Sequence, residues 1–364
     1  MDGVLYGLTA FALFILILGG LVLVHELGHF FTAKAFKVRV LEFGFGFPPR
    51  AKVLRSRGET LFTLNWLPIG GFVRMEGEDG DAAEDPRSFT AQPLAVKLVI
   101  LIAGVVLNIV LAFVIFFAIA LLASPTYGLK VAEVVPGSPA AAVGLEPGDE
   151  IMSIAGERLD YLSWPVPTEA LRSRAGQTVP LEIRHVDGSI TTVTVTMRPP
   201  AELSAQVGAL GIRPSEIVFD GAHVGHDIGR SAEIASREVV RWGGLIITGL
   251  GDLVTGFIRD PTAQPPAAGP VGIAVTLAQI FTESGVIMTL YVAAILSVNL
   301  GVVNILPFPP LDGGRMLVLG IKRLFGTRVS LRAERLTYAV GFVVLMAFIL
   351  WVTGFDIARL GSPP

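Results

Sequence analysis

The sequence predicts a polytopic α-helical membrane protein of about four spans, with a membrane-associated β-hairpin segment and an inserted α+β domain outside the bilayer. Three observations carry this. The chain is 52% hydrophobic and 16% charged, where soluble domains run to about a quarter charged, and its mean hydropathy is +0.65. The apolar residues gather into four runs, each long enough as a helix to cross about 30 Å of hydrocarbon. Between the second and third run lies a long polar stretch punctuated by turn residues.

The first span covers Val4 to about Phe31. The one charged residue before it is Asp2, with no basic n-region and no small-residue cleavage site after it, so it reads as a retained transmembrane helix. The other spans are Leu94–Ala123, Gly285–Leu306 and Leu336–Thr353. Lys34, Lys37, Arg39, Arg50, Lys52, Arg55 and Arg57 follow the first, and Lys322, Arg323, Arg328, Arg332 and Arg335 separate the third from the fourth. Both loops therefore face the cytoplasm, and the insert and both termini face outside. The expected divisions are 1–36, 37–93, 94–123, 124–213, 214–283, 284–325 and 326–364.

Each remaining segment has its own signature. Within Val40 to Met75, Phe43–Pro49 is rich in Gly and Pro and Gly58–Met75 alternates like strands with turn residues between, the pattern of a small β-hairpin sheet against the helices. Irregular backbone at membrane depth requires cover by protein or a water cavity. Glu76 to Asp85 is acidic and Gly-rich, a solvated loop. In the insert, a strand, a Pro-Gly turn, a short helix, a Gly-Asp turn and a second strand precede the alternating Leu181–Met197, whose turn is Asp187-Gly188. His226 to Trp242 has the pattern of an amphipathic helix at the membrane surface. The apolar stretch from there to Ile258 is open between surface and bilayer, and Pro261 to Pro270 is a linker.

The chemistry centres on His25-Glu26-Leu27-Gly28-His29. Two imidazoles four apart share one helix face and can grip one zinc ion. Glu26, about 100° further round the helix, can reach a zinc-bound water without being a ligand and act as general base. Three ionisable groups at the end of an apolar span are costly and need a purpose. With no cysteine among 364 residues, thiolate sites and disulfides are excluded. A third ligand must then be sought among the acids and the other histidines. Asp312, between the Pro307, Pro309 and Pro310 breaks and the Gly313-Gly314 pair, reads either as that ligand or as the N-cap of the next helix.

HELGH in the first span, a central stretch AVxGLxPGDxIxxIxG and NxxPxPxLDGG in a late span together resemble the site-2 protease family, over nearly the whole chain. The nearest branch is the bacterial regulator-of-sigma-factor protease type, here with room for one PDZ domain. The insert resembles a bacterial PDZ domain, with Leu210-Gly211-Ile212 similar to its carboxylate-binding loop. The resemblance implies a membrane-embedded zinc metalloendopeptidase in the bacterial inner membrane, with Zn2+ held by His25, His29 and Asp312 and Glu26 as base. It implies transmembrane protein substrates such as anti-sigma factors or signal-peptide remnants, cut after their outer domain is trimmed, and a peptide or protein ligand for the PDZ domain. Asn304 and Asn299 match family asparagines near the substrate, and Gly70, Gly71 and Phe72 lie in LPIGGFVRM, which resembles the segment that binds substrate in extended form. By their residues alone, both asparagines, Asn299 more readily than Asn304, can also serve helix–helix hydrogen bonding. Gly104 and Asn108 match the family's GxxxN and read first as packing positions.

Rival readings are weaker. Gly249-Leu250-Gly251-Asp252 spells an aspartyl-protease motif without a partner aspartate in another span. His223 and His226 read as a solvated loop, and His185 as a surface residue. A PDZ scaffold with an idle zinc site and a metal transporter are the other classes. The net charge of -3 gives no sign of a nucleic-acid partner.

Overall fold

The computed structural model describes residues 3–56, 58–78, 85–162, 167–204, 207–260, 264–265, 268–325 and 331–361. Asp2, Arg57, Arg328, most of the acidic loop and part of the Pro261–Pro270 linker lie outside these. The chain forms two compact units, one of Met1–Ile115 with Val239–Pro364 and one of Phe116–Glu238.

Among the described residues, four helices are long and apolar enough to cross a membrane: Leu5–Ala35, Leu94–Leu122, Pro270–Asn304 and Arg332–Arg359. They belong to α1 (Gly3–Ala35), α2 (Leu94–Leu122), α6 (Pro270–Asn304) and α8 (Leu331–Gly361). The third span begins earlier than expected. The helix starts at Pro270 and breaks at Gly285 (φ 77°), which the sequence reading took for its start. It also ends earlier, at Asn304, so 284–325 is not one helix. Three prolines in the next turn lack an N–H and fix φ, and a separate α7 runs Asp312–Phe325. Asp356, buried near the end of α8, accepts N–H bonds from Gly269 (3.2 Å) and Gly272 (2.8 Å) at the head of α6.

The segment after α1 is the expected hairpin, β1 (Val40–Arg55) with β2 (Leu61–Met75). Val40–Phe45 runs antiparallel to Gly71–Met75, and the same residues also face Leu61–Leu64. Gly71–Met75 therefore keeps one edge without a strand partner among the described residues. Phe30 of α1 stacks edge-on against Phe43 (5.3 Å) and Phe62 (5.9 Å), which fixes the sheet on the helix.

The second unit is a six-stranded sheet in the order β7-β6-β4-β3-β8, with β5 paired to β4. Its strands are β3 (Ser124–Val134), β4 (Glu150–Ile154), β5 (Glu157–Arg158), β6 (Thr178–Arg184), β7 (Ile190–Thr196) and β8 (Ile212–Val224), with short helices α3 (Pro139–Ala142) and α4 (Pro167–Ser173). Tyr127, Leu129, Ile151, Ile154, Leu181 and Ile183 form its core. The Gly-Asp turn is explained by Asp149, whose Oδ2 accepts from the Glu146 N–H at 3.0 Å and lies 3.1 Å from His185 Nδ1. His185 is thus tied down, with its side chain still partly exposed at the surface. His226 is likewise not simply solvated, with Nε2 3.4 Å from the buried Asp160 carboxylate.

The amphipathic helix is longer than expected. α5 runs Ile228–Arg259 without a break, so the stretch 243–258 continues it.

Candidate metal centre

Helix α1 puts His25 and His29 four residues apart on one face, both buried (5% and 6% exposed), with ring centroids 4.8 Å apart. Their space comes from glycine. A Cβ on Gly28 would meet the Ala103 carbonyl of α2, so the two helices touch backbone to backbone. A Cβ on Gly104 would lie 2.5 Å from His29 Nε2 and 2.7 Å from His25 Cε1. Asp312 arrives from the other side, at the start of α7. Side chains at Gly313 or Gly314 would collide with backbone of the preceding turn, Ile305 to Pro309. The turn itself packs on α8, where a Cβ on Gly341 would strike the Pro309 carbonyl.

The three donors converge. His25 Nε2 is 3.0 Å and His29 Nε2 3.3 Å from Asp312 Oδ2, and the two Nε2 atoms are 3.2 Å apart. Ligands on one tetrahedral zinc, at bonds of about 2.0–2.1 Å, stand roughly 3.3–3.4 Å from each other. The hydrogen bonding points the same way. The Ile100 carbonyl, 2.8 Å from His29 Nδ1, can only accept, so the proton is on Nδ1 and a neutral ring turns its Nε2 lone pair inward. At His29 that lone pair stands beside the Asp312 carboxylate oxygen, an arrangement suited to a cation between them. A zinc ion fits this donor set. His25, His29 and Asp312 are the one group of this kind among the described residues.

Around the donors lies a cavity of about 720 Å3. Glu26, Gly71, Phe72 and Asn304 line it with the three donors, facing Leu345 and Met346 of α8. A Cβ on Gly71 would come 3.6 Å from Glu26 Cγ, so the free-edged strand runs beside the candidate base. Gly70 and Asn299 are not among the lining residues. Gly70 (φ 81°) makes the turn into the strand, and Asn299 sits half-buried on α6. Asn108, fully buried, holds its amide 3.2 Å from His25 Nδ1, while Ser297 Oγ donates to the Asn108 backbone carbonyl at 2.8 Å. The sequence reading gave Asn108 and Gly104 to packing; both in fact touch or bound the imidazoles. The GxxxN spacing was the available signal, but nothing local showed which helix faced it.

Apolar spanning helices with two imidazoles and a carboxylate gathered at one point define a membrane protein with a metallopeptidase-type centre. The comparisons agree: the chain belongs to peptidase family M50, whose description matches residues 13–348. It is 34% identical to a putative zinc metalloprotease of Clostridium perfringens, over 97% of this chain and 98% of that one. It is 29% identical to the zinc metalloprotease RasP of Geobacillus kaustophilus (95% and 97% covered), and 29% identical to a putative zinc metalloprotease of Brucella suis (94% of each).

Proposed function

We propose that this chain is a zinc endopeptidase that cuts transmembrane segments of single-span membrane proteins, with His25, His29 and Asp312 as the ligands and Glu26 as the general base. The observation that carries it is the meeting of three donor atoms at tetrahedral spacing in the wall of a cavity bordered by a strand with one free edge among the described residues. Zinc bound there supplies a Lewis acid and brings the pKa of its water to about 7. Glu26 takes a proton from the attacking water and returns it to the amine nitrogen as the peptide C–N bond breaks. The His29 Nδ1–H held by Ile100 O and the His25 ring held by Asn108 fix the imidazole orientations.

A transmembrane helix hides its peptide groups in its own hydrogen bonds, so it must unwind to be cut. The free edge of Gly71–Met75 offers the freed N–H and C=O groups new partners, and Asn304 is within the same cavity to hold the substrate backbone. The β3–β8 unit is read as the PDZ domain. Its edge strand β8 follows the positive-φ Gly211, and its role is to bind a peptide or exclude untrimmed substrates. The proposed setting is the bacterial inner membrane, with the PDZ unit and both termini outside and the substrates anti-sigma factors or signal-peptide remnants.

The test is co-expression with single-span substrates, wild type against Glu26→Gln. Chelator-sensitive cleavage in the wild type, lost by roughly 10²–10⁴-fold in a variant that keeps its zinc, is expected. Cleavage surviving in Glu26→Gln would remove the base, and zinc bound without any cleavage by the wild type would favour an idle scaffold or a transporter.

A further inference from the structure

The strand beside the metal centre meets a donor-bearing helix at each of its ends. At its head, a Cβ on Gly71 would come 3.6 Å from Glu26 Cγ, so the strand starts against α1, the helix of His25 and His29. At its tail the chain turns after Met75, and Glu78 divides its carboxylate between two elements. Oε2 accepts from the Met75 N–H at 3.1 Å. Oε1 pairs with the Arg315 guanidinium. Arg315 lies on α7, nearly one turn beyond Asp312, and its Cζ stands 6.0 Å from the Tyr338 ring of α8. Glu78 and Arg315 both line the cavity around the three donors.

Apolar packing alone would leave the strand and α7 free to slide past each other. Met316 and Leu319 of α7 pack on the core that holds Val40 and Met75, and such contact is non-directional. A charge-assisted hydrogen bond has a preferred length and angle. Asp312 itself is seated without it, because Gly313 and Gly314 bring the head of α7 against the backbone of the preceding turn. What the ion pair adds is the offset between the strand and the metal donors. A substrate paired on the free edge of Gly71–Met75 takes its position from that strand, and a slip in register brings a different peptide bond to the metal.

We propose that Glu78 and Arg315 form a positioning pair that selects the scissile bond. They hold the substrate-binding strand at one offset from the metal donors, so that a single peptide bond of the bound segment faces Glu26. The pair acts through the strand and takes no part in breaking the bond. This rests on the protease reading above.

The test maps the cut in one single-span substrate by mass spectrometry of the products, using full-length enzyme in detergent, with zinc measured on the same samples and the fold checked by circular dichroism. The wild type is expected to cut one bond. Arg315→Met keeps the bulk but gives Glu78 no donor. Glu78→Gln, made separately, has one acceptor oxygen where two are needed. Each is expected to spread the cuts to neighbouring bonds and to lower kcat roughly 100-fold, the cost of about 1 Å of misplacement, with zinc content and KM unchanged. Arg315→Lys can still donate to Oε1 and is expected to restore the single cut. Arg87→Met breaks the ion pair with Glu59 between β1 and β2, neither residue lining the cavity, and is expected to cut as the wild type does. A single cut at wild-type kcat in either folded, zinc-loaded variant would overturn the proposal, as would several cuts by the wild type. Loss of zinc from the variants would also overturn it, making the pair a support of Asp312, and so would the same spread of cuts in Arg87→Met, making it a matter of hairpin stability. A wild type that binds zinc and cuts nothing would refute the protease reading itself, and this proposal with it.

Discussion

Gly104→Ala is the smallest change that bears on the metal centre without touching a ligand. The added methyl would stand 2.5 Å from His29 Nε2 and 2.7 Å from His25 Cε1. Ordinary contact begins near 3.4 Å, so the rings must retreat by roughly 0.9 and 0.7 Å. The helices cannot easily part instead, because the Gly28 Cβ position already meets Ala103 O and lies 2.9 Å from Gly104 Cα. Metal–ligand distances tolerate only about 0.2 Å. Loss of supporting contacts alone costs about 10–100-fold in metal affinity, so displaced ligands should cost about 100-fold or more. Zinc is measured by elemental analysis after dialysis against a graded competing chelator. Gly20→Ala is the control: it is on α1, with open space at its Cβ position, and gains about 0.8–1 kcal/mol of helix propensity. A folded Gly104→Ala protein that holds zinc as tightly as wild type would refute the close-packing argument.

The other predictions concern the same frame. Asn108→Leu should weaken zinc binding about 10–100-fold by freeing the His25 ring, and Asn108→Asp, whose carboxylate can accept from a His25 Nδ1–H, should hold it near the wild-type value; the competition assay reads both. Asp312→Ala should lower zinc occupancy, whereas unchanged occupancy would leave it a helix cap. Chelation should lower the wild-type thermal midpoint, reflecting about 2.7 kcal/mol lost at zinc a hundredfold above Kd, and leave Asp312→Ala unmoved. Asp356→Ala orphans the Gly269 and Gly272 N–H groups, which should cost about 1–3 kcal/mol in detergent unfolding without changing zinc content.

What could be read from the sequence was what local spacing determines. His25 and His29 are a turn apart whatever surrounds them, and Asp312 stood out because acids are rare between apolar runs. The hairpin over Val40–Met75 and the turn at Asp187-Gly188 followed from period-two alternation and turn chemistry. The misreadings share a cause. The amphipathic pattern stops at Trp242, before Gly243 and Gly244, yet α5 continues to Arg259, because each glycine costs a helix only about 1 kcal/mol. Gly285 read as the start of a span, although helix lies on both sides of it. For Gly104 and Asn108 the reason lies on a different helix, and one sequence carries no record of which faces meet.

The centre has a consequence for where it is vulnerable. Its geometry is set by main chain approaching main chain: α1 on α2 at Gly28, α7 on its proline turn at Gly313 and Gly314, and that turn on α8 at Gly341. In hydrocarbon there is no hydrophobic gain from bringing helices together, so close packing over small residues must do it. Such contacts have no flexible end that can yield, and a methyl at any of them moves a whole element. A ligand carried on that element moves with it. The glycines bounding the site should therefore be nearly as intolerant as the ligands, while long lining side chains such as Leu345 and Met346 can exchange volume with the cavity.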